Sequence, residues 1–267
     1  MIKPAEIQQK ARVIGVRDQQ IEKDYILSWI LFGISKHEDI SKAIVFKGGT
    51  VLKKVYFRDY RFSEDLDFTL RNTEVSNVQL FEWFNEVFEF IKKEANIPLD
   101  IIDHSEHQDG GMNFYTGYIG PLGGQGNNKR VKVDISRNEQ LVFSPVMKDV
   151  FIDYTDLEKY QLLCYTLEEV LVEKMRSVMQ RMQARDFYDM WYLLEEYGMD
   201  AGFYIGEFEM KCKSKNLQHT DFLKKLAERL PQYKGRWKSS MSEQIKDLPD
   251  FDQVERAVQR HVKKLMF

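Results

Sequence analysis

At 267 residues, 43% hydrophobic and 30% charged, the chain has the composition of a soluble globular protein of one large or two small domains, which excludes disordered and fibrous classes. A net charge of −3 argues against general coating of nucleic acid, and the widely separated Cys164 and Cys212 make neither a disulfide framework nor a zinc site. The opening stretch lacks the apolar core of a signal peptide, and the longest apolar run, around Tyr25 to Ile34, is interrupted and too short to cross a bilayer, so a cytoplasmic protein is expected.

The first forty residues read as helical, most clearly from Gln20 through Ile34, where Ile21, Tyr25, Trp29 and Phe32 recur at helical spacing. Ala43 to Phe46 is a short β-type run feeding Gly48-Gly49. A helix over Thr50 to Tyr56 follows, with Thr50 placed as its N-cap. Phe62 to Leu70 holds a second strand. Asn77 to Ala95 is a helix, apolar at Leu80, Phe84, Val87 and Ile91 and closed by Asn96-Ile97-Pro98. Between Leu99 and Ser136 the pattern turns β-rich, with strands over Met112 to Ile119 and Lys129 to Ser136. The glycine-rich segment Gly120 to Asn128 leads into a strand rather than a helix, so it reads as a long hairpin loop and not a dinucleotide-binding loop. Asp103, His104 and His107 lie close together in a polar run that reads as surface loop. From Thr166 onward the chain is helical. The composition shift near residue 150 divides it into a small mixed sheet with flanking helices (1–150) and a helical domain (151–267).

The chemistry concentrates in Asp65 and Asp67. Strand alternation places both on one face while Leu66 and Phe68 point the other way. A half-buried carboxylate pair calls for a compensating cation, and a divalent metal with oxygen ligands, Mg²⁺ or in its place Mn²⁺, suits it. In Val131-Lys132-Val133-Asp134-Ile135 the same alternation frees Asp134 from the core face. If that strand lies beside Asp65 and Asp67, three carboxylates converge, and two metals about 3.5–4 Å apart could serve an in-line displacement. The alternative places Asp65 and Asp67 on a solvent-facing edge, paired with Arg61. Gly48, Gly49 and Thr50 would bring backbone amides to the β- and γ-phosphates of a nucleotide. Ser63 would add a hydroxyl or cap a local turn.

Taken together, Gly48-Gly49-Thr50-x-Leu52-x-Lys54 and Arg61-Phe62-Ser63-x-Asp65-x-Asp67-Phe68 resemble the AbiEii/AbiGii nucleotidyltransferase-like toxins of the DNA polymerase β-type superfamily. Ile21 to Leu27 looks like that family's leading helix and Val131 to Ile135 like its third-carboxylate strand. Glu173-Lys174-Met175-Arg176 and Arg185-Asp186-Phe187-Tyr188-Asp189 match its two later motifs, in order, from about residue 20 to about 195. The resemblance implies an α+β fold, a polymerase β-like nucleotidyltransferase domain followed by a helical one. It also implies Mg²⁺-dependent transfer of a nucleoside monophosphate from an NTP to an acceptor, RNA or tRNA, by the toxin of a toxin–antitoxin or abortive-infection phage-defence pair with a separate antitoxin protein. Asp134 would be catalytic base or shared metal ligand, Lys174 would touch the nucleotide, and Asp186 with Arg185 and Asp189 would orient the triphosphate or position an acceptor, the relative weight of Asp186 and Asp189 staying open. The rival readings are a non-catalytic nucleotide- or partner-binding module on the same fold, and a phosphotransferase acting on a protein or small molecule.

Two features of the C-terminal half fit. On an unbroken helix Lys174, Arg181 and Arg185 fall within about 20° of one line, a cationic stripe; the alternative is a surface face salt-bridged to Glu173 or Asp186. Residues 200–267 carry 14 Lys/Arg against 10 Asp/Glu, the rest 25 against 32. Within 211–238, basic side chains interleave with Phe222, Tyr233 and Trp237, a pattern that grips RNA by phosphate contact and base stacking or is a solvated face with its aromatics turned inward.

Overall fold

The computed structural model describes residues 1–107, 110–126 and 129–265. They form two compact units, residues 1–139 with 145–164 and residues 140–144 with 165–267, so the sheet-bearing unit runs on to Cys164, beyond the shift in composition near 150.

Helices α1 (Pro4–Ile14), α2 (Asp18–Lys36) and α3 (Glu38–Ala43) open the first unit. Pro4 sits in the first turn of α1, where its missing N–H is no loss. The expected Gln20–Ile34 helix is contained within α2, which is buried on nearly every side and therefore shows no amphipathic stripe.

Seven strands form one mixed sheet in the order β3-β4-β5-β2-β1-β7-β6: β1 (Ile44–Lys47), β2 (Asp65–Leu70), β3 (Leu99–Glu106), β4 (Met112–Tyr118), β5 (Arg130–Ser136), β6 (Val146–Asp149) and β7 (Gln161–Cys164). The β2–β5 and β1–β7 pairs are parallel and the rest antiparallel. A parallel neighbour requires a crossover, and between β2 and β5 the chain supplies α5 (Asn77–Ala95), capped by the Ser76 hydroxyl accepting from the Gln79 amide at 3.1 Å. Phe46, Phe68, Ile135 and Met112 make one buried row across four strands, and Phe84 of α5 meets Phe114 edge-on at 4.9 Å. With that face committed to the core, the intervening residues of β1, β2, β5 and β4 all go to the other.

Three local expectations need correction. Ladder pairing in β2 begins at Asp65, with Phe62 and Ser63 buried ahead of it. Thr50 is not an N-cap: the helix starts two residues earlier, as α4 (Gly48–Val51) continued by a π turn over Leu52–Tyr56, and Lys47 is the capping position. Asp103 and His104 lie in strand β3 rather than a loop, opposite Tyr115 and Phe114; an edge strand with one face in solvent tolerates such polar residues. The glycine-rich segment is held at its base by Glu22 of α2, whose carboxylate accepts from the Leu122 amide at 2.7 Å and pairs with Lys129. Asn127 and Asn128 of that segment lie outside the described residues.

The second unit is helical, with α6 (Leu167–Gln180), α7 (Ala184–Trp191), α8 (Ile205–Lys213), α9 (Phe222–Met241) and α10 (Phe251–Val262). The unbroken helix through residues 174–185 is not formed: α6 ends at Gln180 and Arg181 turns extended. The carbonyls released there find partners on α9. Tyr233 Oη lies 3.0 Å from the carbonyl oxygens of both Val178 and Arg181, and the Arg236 guanidinium donates to that of Met182 at 3.0 Å. Residues 140–144 join this unit through Glu169, which accepts from the Val142 and Phe143 amides at 3.0 and 2.7 Å. No helix among the described residues is long and apolar enough to cross a membrane.

Candidate active site

In the first unit, register builds the polar face. Lys47, Asp67, Asp134 and Asn113 stand directly opposite one another across β1, β2, β5 and β4, and Asp65, Lys132 and Tyr115 form the next row. Asp65, Asp67 and Asp134 therefore share one face of two parallel strands, half-buried, while Leu66, Phe68, Val133 and Ile135 are in the core. The edge-pairing alternative with Arg61 does not arise from an exposed edge, since β2 is central to the sheet and Arg61 is itself buried.

The glycine turn is tied to these carboxylates. Gly48 adopts φ +79°, and a Cβ there would lie 2.3 Å from Asp67 Oδ2, so only glycine allows the backbone this close. The Thr50 hydroxyl donates to the Asp65 carbonyl at 2.6 Å and so ties the start of α4 to β2. Lys54, the last residue of the glycine motif, is fully buried and pairs with Asp24 of the leading-helix motif at 2.7 Å, with Ser28 Oγ at 2.9 Å. Burial would raise the Asp24 pKa, but the charge and hydrogen bond of Lys54 prevail and hold it below the ordinary aspartate value. Two sequence motifs thus meet as a structural pin. A charged residue inside an apolar helix was the available signal, because a fully buried charge must be paired.

Two cations on this face were not singled out from sequence. Lys47 Nζ donates to Ser136 Oγ at 3.1 Å, and Lys132 Nζ lies 3.0 Å from Asp134 Oδ2. Burial draws the Lys132 pKa down, yet Asp134, with Asp65 and Asp67 behind it, raises it above the ordinary lysine value. Strand alternation already set Lys132 on the side of Asp134 and was the signal to follow. His107 Nε2 is 3.7 Å from Asp134 Oδ2 and 3.1 Å from Asn113 Nδ2, and Asp103, opposite Tyr115, continues the Asp65–Lys132 row onto β3.

Among the described residues no three His, Cys, Asp or Glu side chains are gathered closely enough to hold a metal ion as they stand. The donor chemistry nonetheless fits a hard divalent cation: three carboxylates at adjacent register positions, with an ammonium on one of them in the cation's stead.

In the second unit, Lys174 is a buried node. Its ammonium lies 2.7 Å from both Asp186 Oδ1 and Asp189 Oδ2, and Arg181 makes a two-pronged contact with Asp186 at 2.6 and 3.0 Å. Burial would raise the Asp186 pKa; Lys174 and Arg181 together drive it far below the ordinary aspartate value. Arg185 lies half-buried on α7, on the chain beside Asp186. The expected cationic stripe is thus replaced by an ion-paired cluster, and any nucleotide contact by Lys174 would require it to leave two carboxylates. The interleaved aromatics are likewise committed: Phe222, Tyr233 and Trp237 are buried, with Tyr233 stacked on Phe187 at 5.2 Å, so they offer no surface for base stacking. Lys211 is buried too, 2.7 Å from Glu169 Oε1.

The fold is shared with solved structures. MenT4, a nucleotidyltransferase toxin from Mycobacterium tuberculosis H37Rv, superposes with a TM-score of 0.69 over 100% of this chain and 91% of its own, at 17% identity. JHP933 from Helicobacter pylori gives 0.58 over 93% and 92%, at 15% identity. At such identities the likeness carries the fold alone. No curated protein matches the sequence. The family model for the nucleotidyl transferase AbiEii toxin of type IV toxin–antitoxin systems matches residues 29–260, which takes in Asp65, Asp67, Asp134 and the Lys174–Asp189 cluster. The chain belongs to that family of nucleotidyltransferase toxins.

Proposed function

We propose that this nucleotidyltransferase moves a nucleoside monophosphate from an NTP to a hydroxyl of RNA, a tRNA 3′ end foremost, and releases pyrophosphate. The reading rests on the register that sets Asp67 beside Asp134, with Asp65 on the same face and the Gly48 backbone against the Asp67 carboxylate. Asp65, Asp67 and Asp134 would hold Mg²⁺, or Mn²⁺ in its place, which when bound polarises the attacking hydroxyl and offsets the charge of the leaving pyrophosphate. The backbone amides of Gly48, Gly49 and Thr50 take the β- and γ-phosphates, with Lys47 as the nearest cation of the same row. The Asp134 carboxylate accepts the acceptor hydroxyl's proton as its oxygen bonds the α-phosphorus and the bond to pyrophosphate breaks. Ser63, buried just ahead of β2, would add its hydroxyl to a phosphate or cap the local turn.

For the acceptor, phosphate contact by exposed side chains such as Lys224 and Lys238 on α9 replaces base stacking. Lys174, Asp186 and Asp189 act as positioning residues that fix α6 to α7. As a toxin of this family, the protein has a cognate antitoxin as its protein partner. The test is purified protein with Mg²⁺, each α-³²P-labelled NTP in turn and total bacterial RNA, beside Asp67→Asn. A labelled RNA band lost in a well-folded Asp67→Asn protein is expected. Label retained by that variant would refute the assignment, and γ-label transfer in place of α-label would make the protein a phosphotransferase.

A further inference from the structure

Lys132 stands among the three carboxylates. It precedes Asp134 by two residues on β5, which places both on one face, and across the parallel pair it lies opposite Asp65. Its ammonium is 3.0 Å from Asp134 Oδ2, with 30% of the lysine and 22% of the aspartate side chain exposed. Three like charges at neighbouring register positions repel, and the strands cannot separate to relieve them because the opposite face of both is packed in the core.

We infer that Lys132 is the site's own counter-cation: it neutralises the carboxylates before metal arrives, and a divalent ion must displace it from Asp134 in order to bind. The inference rests on reading Asp65, Asp67 and Asp134 as metal ligands. The competition is direct because the ammonium already sits on Oδ2 of the Asp134 carboxylate that would hold the metal. Lys47, the other lysine of this face, sits on β1 opposite Asp67 and donates to Ser136 Oγ. Once displaced, Lys132 stays tethered two residues from Asp134, where an NTP polyphosphate offers the anion of matching charge. Metal alone therefore binds weakly.

The test is Mn²⁺ binding, followed by electron paramagnetic resonance of the free ion, with no nucleotide present. The proteins are wild type, Lys132→Met, Lys132→Gln, Lys132→Arg and Asp67→Asn, each checked for a cooperative thermal melt. An opposite charge at this distance shifts a carboxylate's proton affinity by tenfold or more, so Lys132→Met and Lys132→Gln are expected to bind Mn²⁺ about tenfold more tightly. Lys132→Arg, which keeps the charge, should stay within about twofold of wild type, and Asp67→Asn should bind more weakly. Neutral variants that bind no better than wild type, with binding still weakened by Asp67→Asn, would overturn the role of Lys132 and leave the metal site standing. Mn²⁺ binding indifferent to Asp67→Asn would overturn both.

Discussion

Lys174→Met is the substitution that separates a structural from a catalytic role for the second unit's cluster. The Lys174 side chain is 6% exposed and its partners Asp186 and Asp189 are fully buried. Removing one member of a buried pair strands the other's charge, at a cost of about 3–5 kcal/mol. Arg181 also pairs with Asp186, but its side chain is 55% exposed and its charge is screened by water. Arg181→Met should therefore lose only about 1 kcal/mol. Two cations share one carboxylate, and burial alone predicts a severalfold difference in their contribution. Urea unfolding followed by circular dichroism measures it, and a thermal melt of Lys174→Met should show a fall in Tm of about 10 °C. Equal losses for the two variants, or a Lys174→Met protein within 1 kcal/mol of wild type, would refute the reasoning. The RNA-labelling assay then reads cleanly: activity lost by Lys174→Met in step with folded fraction is structural, and activity lost from fully folded protein is a nucleotide contact.

Gly48→Ala should lose about 1–2 kcal/mol from its positive φ alone, and its Cβ displaces the Asp67 carboxylate. Transfer should fall further than unfolding curves explain, and an alanine variant with wild-type labelling would show that Asp67 moves aside harmlessly. Burial pushes the Cys164 thiol up to about 12 and the Cys212 thiol up to about 11, and both are buried and free. Neither should react with a disulfide reagent at pH 8 in the native protein, and both should react in urea. Asp24 and Asp186 have folded pKa values below their unfolded ones. Their stabilisation is therefore complete above the unfolded value of about 3.9 and lost as pH falls through the folded values. Their share of the urea midpoint should be flat from pH 7 to 5 and decline only in stronger acid, a decline that is reduced in Asp24→Asn; an equal acid slope in that variant would refute the assignment.

The site's face was legible because period-two alternation is a rigid rule. Once Leu66, Phe68, Val133 and Ile135 are assigned to the core, Asp65, Asp67, Lys132 and Asp134 have one place left to go. What alternation cannot supply is which strands are neighbours. The parallel β2–β5 pairing that sets Asp67 against Asp134 depends on a crossover through α5, and from sequence it remains a condition, with the order of motifs pointing to a third carboxylate but not to the pairing. The same alternation implies the position of Lys132, but a lone lysine between valines on a strand carries no mark of a role. The β3 strand was hidden for a different reason: an edge strand with a solvent face need not look apolar, so Asp103 and His104 carried no strand signature.

The break after Gln180 shows where local reading has to fail. Gln180, Arg181, Met182 and Gln183 are all good helix formers, with no glycine or proline among them. The helix stops there because Tyr233 and Arg236, some fifty residues later, take the released carbonyls. On a continuous helix, Arg181 and Asp186 would lie about 140° apart and could not meet. The break brings Arg181 onto the same carboxylate that Lys174 holds. An interaction from α9 thus decides whether Lys174 and Arg181 line an open cationic stripe or close into an ion-paired cluster on Asp186. The family motif keeps its residues while their local chemistry is set elsewhere in the chain. For the acidic face the reverse holds: its side chains are ordered by the strands that carry them, so Asp65, Asp67 and Asp134 could be placed from sequence and Lys174 could not.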